Sequence, residues 1–427
     1  MTERMTERMT ERMTGPMTDP TAGVTGSVSG GGAPVPTSAG TTAGAPRARL
    51  DTDVAIVGGG IVGSSAALFL RRFGLRVVLL ERGLCGAAAS GVNYGGVRAQ
   101  GRGLSQLPLA LRARQIWTRL PEFIGIDGEY VPSGHLKLAR SEAELASLQA
   151  YAEQVEGRGL DLSLIAGTAF RRQYPWLAGH ATAASWCPGD GHANPRLVSP
   201  AFARAARAAG AQVFEGCEVT ELGHDGTRFE LGDGRGLRVR APWLLNCAGA
   251  WSLSVARAFG DDAPLFSIHP GMAVTEALPR FMDVNIGVEG GGIYGRQTAR
   301  GHCVMGGSRG ASAHPLHAQP RALAIAELCQ RMAELFPRLA HAQVIRFWSG
   351  VEGSLPDHQP VIGPGTRHPQ LLHAFGFCGA GFQTGPAVGE ALAQWVHRGR
   401  AEVPLAPFAI DRFTAAAALT SLHPSTH

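Results

Sequence analysis

Residues 51–83, DTDVAIVGGGIVGSSAALFLRRFGLRVVLLERG, constrain the fold more than any other part of the chain. Val54 to Val57 is an apolar run of strand length, and Gly58, Gly60 and Gly63 follow it in GxGxxG spacing. A mostly apolar stretch with Ala66, Leu68, Phe69 and Leu70 reads as a helix that Gly74 stops. A second run, Val77 to Leu80, ends at Glu81, so the segment is a βαβ unit. In such a unit the first glycine permits the tight turn and the second lets backbone approach a pyrophosphate. The third lets helix and strand pack closely. The phosphates then lie on the helix N-terminus, at Ile61 and Val62. A carboxylate at Glu81 accepts hydrogen bonds from both ribose hydroxyls, each charge-assisted bond being worth roughly 1.5–3 kcal/mol. It also repels a 2′-phosphate, which argues against NADP. The spacing leaves FAD and NAD both open.

A chain of 427 residues exceeds the size at which one core stops growing, so a second lobe is expected. The expected class is α/β. A discontinuous Rossmann-like nucleotide domain is read over 50–105, 190–264 and 346–415, with a mainly antiparallel sheet-plus-helix substrate domain from 106–189 and 265–345. The stretch NPRLVSPAFARAARAAGAQVFEG reads as a helix ended by Gly210 and a strand through Val213, and FELGDGRGLRVRAPWLLN as two strands joined at a DG turn plus a third, Trp243 to Asn246. Another helix is expected from Arg321 to Leu335. Residues 1–49 repeat MTER and then drift through Gly, Ser, Thr, Pro and Ala, which predicts a disordered tail, and 416–427 is read as a flexible end. The tail lacks a secretory apolar region, and its Met-Thr pairs raise a start codon further in.

Composition excludes several classes. Hydrophobic residues make up 44% and charged residues 17%, with no apolar run long enough to cross a bilayer. The net charge of +5 is almost all arginine, Lys137 being the only lysine, and no basic block interleaves with aromatics as nucleic-acid binding requires. The seven cysteines form no CxxC pair, so neither zinc nor an iron-sulfur cluster is expected. A cytoplasmic protein fits, with peripheral association at the inner membrane the remaining membrane role.

Three further segments point one way. They are SGVNYGG (Ser90, Asn93, Gly95, Gly96), NCAGAW (Ala248, Gly249, Trp251) and GFCGAGFQTGPAVGE (Gly379, Ala380, Gly381, Phe382, Gln383). In this order, after the ERG motif at Glu81 and Arg82, the chain from Asp51 to about Phe413 resembles the D-amino-acid oxidase family, which includes glycine oxidase, sarcosine oxidase and dimethylglycine dehydrogenase. NYGGVR, GHANPR and GFCGAGFQ bring it nearest to the flavin subunits of opine, hydroxyproline and hydrogen-cyanide-forming dehydrogenases. The resemblance implies FAD, with these segments and Val219 as its contacts. Read physically, Gly379 and Gly381 expose backbone N–H groups while Gly385 and Pro386 start a helix, whose N-terminus would stabilise negative charge on a reduced flavin.

The resemblance also implies an arginine on a strand of the second lobe that fixes the substrate carboxylate. GIYGRQTARGHCVMGG puts Tyr294 and Arg296 at that place, with Arg300 as competitor. The implied reaction moves a hydride from the carbon beside nitrogen in a D-amino acid, glycine, sarcosine or proline-like substrate. It needs positioning more than a side-chain base. His269, His302 and His358 are read as structural. Gln383 stands where the resemblance puts an oxygen-activating lysine in sarcosine oxidase relatives, so a dehydrogenase is expected, served by an electron-accepting subunit or a soluble acceptor. In WSGVEGSLPDHQPVIG, Glu352 stands near the spot where relatives often carry Arg-Pro. Covalent flavin attachment at Cys378 is open. The competing classes are a flavin-dependent 2-hydroxy-acid or glycerol-phosphate-type dehydrogenase, and a flavin-bearing subunit whose chemistry resides in its partner.

Overall fold

Two sheets, each fed by separated stretches of sequence, organise residues 48–413, the part of the chain that the computed structural model describes. The expected disordered tails lie outside the described residues except for Ala48 and Arg49; Arg49–Asp51 is a short strand beside Arg238–Ala241.

The first sheet has six strands. Five run parallel to one another, four of them being β1 (Val54–Val57), β2 (Val77–Leu80), β6 (Gln212–Phe214) and β7 (Trp243–Asn246). With β14 (Val361–Pro364) and β15 (Leu371–Phe375) the order is β14-β15-β7-β1-β2-β6, and only the β14–β15 pair is antiparallel. Every residue of β1 and β2 is buried, as a strand covered on both faces requires. Three helices cover one face: α1 (Ile61–Arg72), α3 (Pro195–Ala208) and α5 (Gly381–Arg398). A Cβ on Gly385 would come 2.7 Å from Ile61 Cγ2, and one on Gly389 would collide with Ser65 Oγ and the Ala66 backbone. The two glycines thus let α5 lie directly on α1, where Ser65 Oγ donates to Gly385 O at 3.1 Å.

One boundary differs from the sequence reading. Pro386 was expected at the first helical position, yet α5 starts at Gly381 and Pro386 lies inside it. The added turn is held by tertiary packing: Phe382 is buried, its ring 5.0 Å from Trp117 on α2 (Leu107–Trp117). Proline near a helix start forfeits one backbone bond, which that burial outweighs.

The second sheet has eight strands. They are β3 (His135–Ala139), β4 (Ser163–Ala166), β5 (Ala183–Cys187), β8 (Pro270–Ala277), β9 (Asn285–Val288), β10 (Tyr294–Gln297), β11 (His302–Arg309) and β12 (Val344–Ser349). The order is β12-β8-β11-β10-β9-β3-β5-β4, antiparallel except for the β9–β3 pair. Helix α4 (Ala322–Leu335), capped at Arg321, packs onto it through Leu328, Met332 and Leu335. Beyond β12 the chain crosses back through Gly350 and Val351 into β13 (Glu352–Ser354), which pairs with Phe266–Ile268. No described helix is long and apolar enough to cross a membrane, and no described cluster of His, Cys, Asp and Glu could hold a metal.

Candidate active site

The carboxyl ends of β1, β2 and β7 and the N-termini of α1 and α5 converge at one edge of the parallel sheet, where such sheets bind ligands. Gly58 adopts φ +103°, and a Cβ there would strike the Cys247 carbonyl at the end of β7. A Cβ on Gly63 would strike the Gly58 carbonyl. Gly60 is free but for Ser90 Oγ, which accepts from Ile61 N–H at 3.0 Å. The Glu81 carboxylate accepts from Gly59 N–H at 2.7 Å and Gly83 N–H at 2.8 Å. Val62 is buried in α1, while Arg82 lies 3.7 Å over the Trp251 ring. Ala248 and Val219 flank one apolar cluster, and Gly249 (φ +60°) opens the short turn that presents Trp251. Asn93 bonds Gly95 N–H at 2.9 Å and Ser90 O at 2.8 Å, while Gly95 O accepts from Ala193 N–H at 2.8 Å and Gly96 pairs with His192. The SGVNYGG segment is thereby tied to GHANPR.

The third glycine segment closes the same edge. Gly379 (φ +80°) has open space where a Cβ would stand, Ala380 is buried, and Gly381 begins α5. Gln383 does not face this opening. Its Nε2 donates to Ala110 O at 2.8 Å and its carbonyl accepts from Trp117 Nε1 at 2.8 Å, so the side chain lies between α2 and α5. The Cys378 thiol also turns inward, accepting from Leu355 N–H at 3.3 Å, and burial raises its pKa.

Sequence reasoning missed how β12 and β13 thread this region. Trp348 Nε1 donates to Val92 O at 2.6 Å, Gly353 lies against Ala250, and Glu352 accepts from Gly379 N–H. Burial raises the Glu352 pKa, opposed by the Gly379 bond and by the fields of Arg309 and Arg102. Arg102 was also missed. It is buried, its Nε has no partner, and burial with the nearby Arg98 lowers its pKa to about 9. The legible signal was the departure at Glu352; nothing local marked Arg102.

On β10, Tyr294 packs against the Tyr94 ring at 4.5 Å, and burial raises its phenol pKa. Arg296 is buried, and its Nε donates to Tyr94 O at 2.7 Å; burial lowers its pKa to about 10. Beside it stands His192, buried with Nδ1 unpartnered, its pKa lowered to about 3 by burial and then by Arg296 and Arg280. The two β10 side chains therefore meet the SGVNYGG segment at Tyr94. Arg300 lies exposed in the turn before β11. His302 Nδ1 contacts Thr275 O at 3.0 Å, His269 O accepts from Gly310 N–H at 2.7 Å, and His358 O accepts from Gln106 Nε2 at 3.1 Å. Lys137 on β3 pairs with Glu289.

Close glycine turns at a helix N-terminus, a carboxylate at the next strand end and an open Gly379 loop form a cradle that fits an extended dinucleotide. The family model described as DAO, FAD dependent oxidoreductase, matches residues 53–395. The chain belongs to this family. Glycine oxidase of Geobacillus kaustophilus (strain HTA426) is 28% identical over 370 residues, spanning 84% of this chain and 97% of that protein. One component of the opine oxidase of Rhizobium meliloti is 27% identical over 381 residues, spanning 86% of this chain and 98% of the relative. The crystal structure of the G. kaustophilus glycine oxidase superposes with a TM-score of 0.79 at 26% identity, covering 85% of this chain and 99% of that one. As a DAO-family member, the protein is an FAD-dependent oxidoreductase with a mixed α/β fold.

Proposed function

We propose that this flavoenzyme oxidises the carbon–nitrogen bond of a small amino or imino acid in the cytoplasm and delivers the electrons to an acceptor other than oxygen. One observation carries the substrate reading: Arg296 is a buried guanidinium tied by Nε alone to Tyr94 O, which leaves its fork to orient a carboxylate. The names of the relatives, a glycine oxidase and an opine oxidase, support an amino-acid substrate. When bound, FAD supplies the two-electron acceptor. Around it Tyr294 and Tyr94 form an aromatic wall that excludes water, and Glu81, Ser90 and the glycine turns hold the nucleotide.

The acceptor reading rests on cations. The chain's only lysine is ion-paired on β3, and Gln383 is packed between helices, so neither offers a free ammonium at the Gly379 loop. A partner subunit or a soluble acceptor takes the electrons. Anaerobic titration of the yellow holoprotein tests the substrate class: glycine, sarcosine, proline or D-amino acids should bleach the flavin band, whereas bleaching by lactate or glycerol 3-phosphate alone overturns it. Arg296→Lys should raise the dissociation constant for the reducing substrate about 10- to 100-fold, because an ammonium cannot reproduce the bidentate pair. Mixing the reduced enzyme with oxygen and with an artificial dye then ranks the acceptors, and faster reoxidation by oxygen rejects the dehydrogenase assignment.

A further inference from the structure

We propose that Glu352 takes the positively charged amine end of the substrate, an assignment that rests on the amino-acid reading above. Three cofactor segments surround it: Trp348 holds Val92, Gly350 abuts the Val92 side chain, Gly353 abuts Ala250, and Glu352 itself accepts from Gly379 N–H. The Glu352 carboxylate thus stands at the Gly379 loop and close enough to Tyr294 for its charge to act on that phenol.

Its charge is poorly balanced by the protein. Among the described residues no arginine, lysine or histidine lies within ion-pair distance of Glu352; Arg309 and Arg102 act on it only through their fields. A partly buried carboxylate with one backbone donor is costly unless a cation joins it. Arg296, tied by Nε alone to Tyr94 O, is the complementary cation for the other end of the ligand. A zwitterion laid between Glu352 and Arg296, ammonium toward Glu352 and carboxylate toward the Arg296 fork, satisfies both at once. A neutral or purely anionic ligand leaves Glu352 opposed.

Glu352 also braces the Gly379 loop, so the test separates charge from bracing. Glu352→Gln keeps an oxygen acceptor for Gly379 N–H and removes the charge; Glu352→Asp keeps the charge. FAD-loaded proteins are titrated with two ligands that lack an abstractable α-hydrogen, 2-aminoisobutyrate and pivalate, which differ by an ammonium in place of a methyl group. Perturbation of the flavin spectrum reports binding. The wild type should prefer 2-aminoisobutyrate, Glu352→Gln should lose that preference by 20-fold or more with pivalate affinity unchanged or improved, and Glu352→Asp should retain it. A wild type without the preference, or a Gln variant that weakens both ligands alike or neither, overturns the assignment. If amino acids still bleach the flavin in that case, only the role of Glu352 falls; if they do not, the substrate reading falls with it.

Discussion

Gly63 acts through a single distance. A side chain there would drive α1 away from the Gly58 carbonyl and open the turn that receives the pyrophosphate. Gly63→Val should therefore purify with less than about a tenth of the wild-type flavin, read from the ratio of flavin to protein absorbance; full flavin content would show that the turn can relax. His192 carries a different signature. Its folded pKa of about 3 lies below the ordinary 6.5, so between those values the unfolded chain binds a proton that the fold refuses. Stability thus falls as pH drops from about 6.5 toward 3, at up to roughly 1.4 kcal/mol per pH unit. Between pH 7.5 and 5.5, denaturant unfolding should show the wild type losing about 1 kcal/mol more than His192→Gln. Equal losses would mean that His192 gains a proton partner in solution.

Element packing explains which parts of the site were legible. Val54–Val57 and Val77–Leu80 could be bounded from sequence because continuous apolar runs between glycines admit few alternatives. The start of α5 could not, because Pro386 is a local signal whereas the burial of Phe382 against Trp117 is a tertiary one. That shift decided Gln383: with the helix beginning at Gly381, Gln383 falls on the face that meets α2 rather than in the loop. Tyr294 and Arg296 were legible as a motif, but their meeting with Tyr94 joins residues about 200 positions apart. The same packing yields a prediction at α1–α5. Gly389→Val collides with Ser65 Oγ and with the Ser65–Ala66 backbone, which cannot swing aside as a side chain could. It should lower apoprotein stability by about 1–3 kcal/mol in denaturant unfolding, the range for overpacked cores. Gly399→Ala, past the helix end where nothing lies within 4 Å, also disturbs backbone conformation at φ +71°. It should cost no more than about 1 kcal/mol and leave flavin content unchanged.

At the scale of the whole molecule, two sheets built from alternating stretches of chain meet where β12 hands over to β13. The bond from Trp348 Nε1 to Val92 O ties an edge strand of the second sheet to the segment that also caps α1 through Ser90. Ligand binding at the nucleotide cradle should consequently be felt in both sheets. FAD at about 100 times its dissociation constant should stabilise the apoprotein by about 2.7 kcal/mol, since it binds only the folded chain. Calorimetry should show that gain as the upward shift of a single transition. Trp348→Phe keeps an aromatic side chain but removes the donor. In that variant the FAD-dependent shift should divide, one transition following FAD and a second, from the eight-stranded sheet, remaining where it lies in the apoprotein. A single transition that moves as far as in the wild type would show that packing around Gly350 and Gly353, rather than the Trp348 bond, transmits the stabilisation.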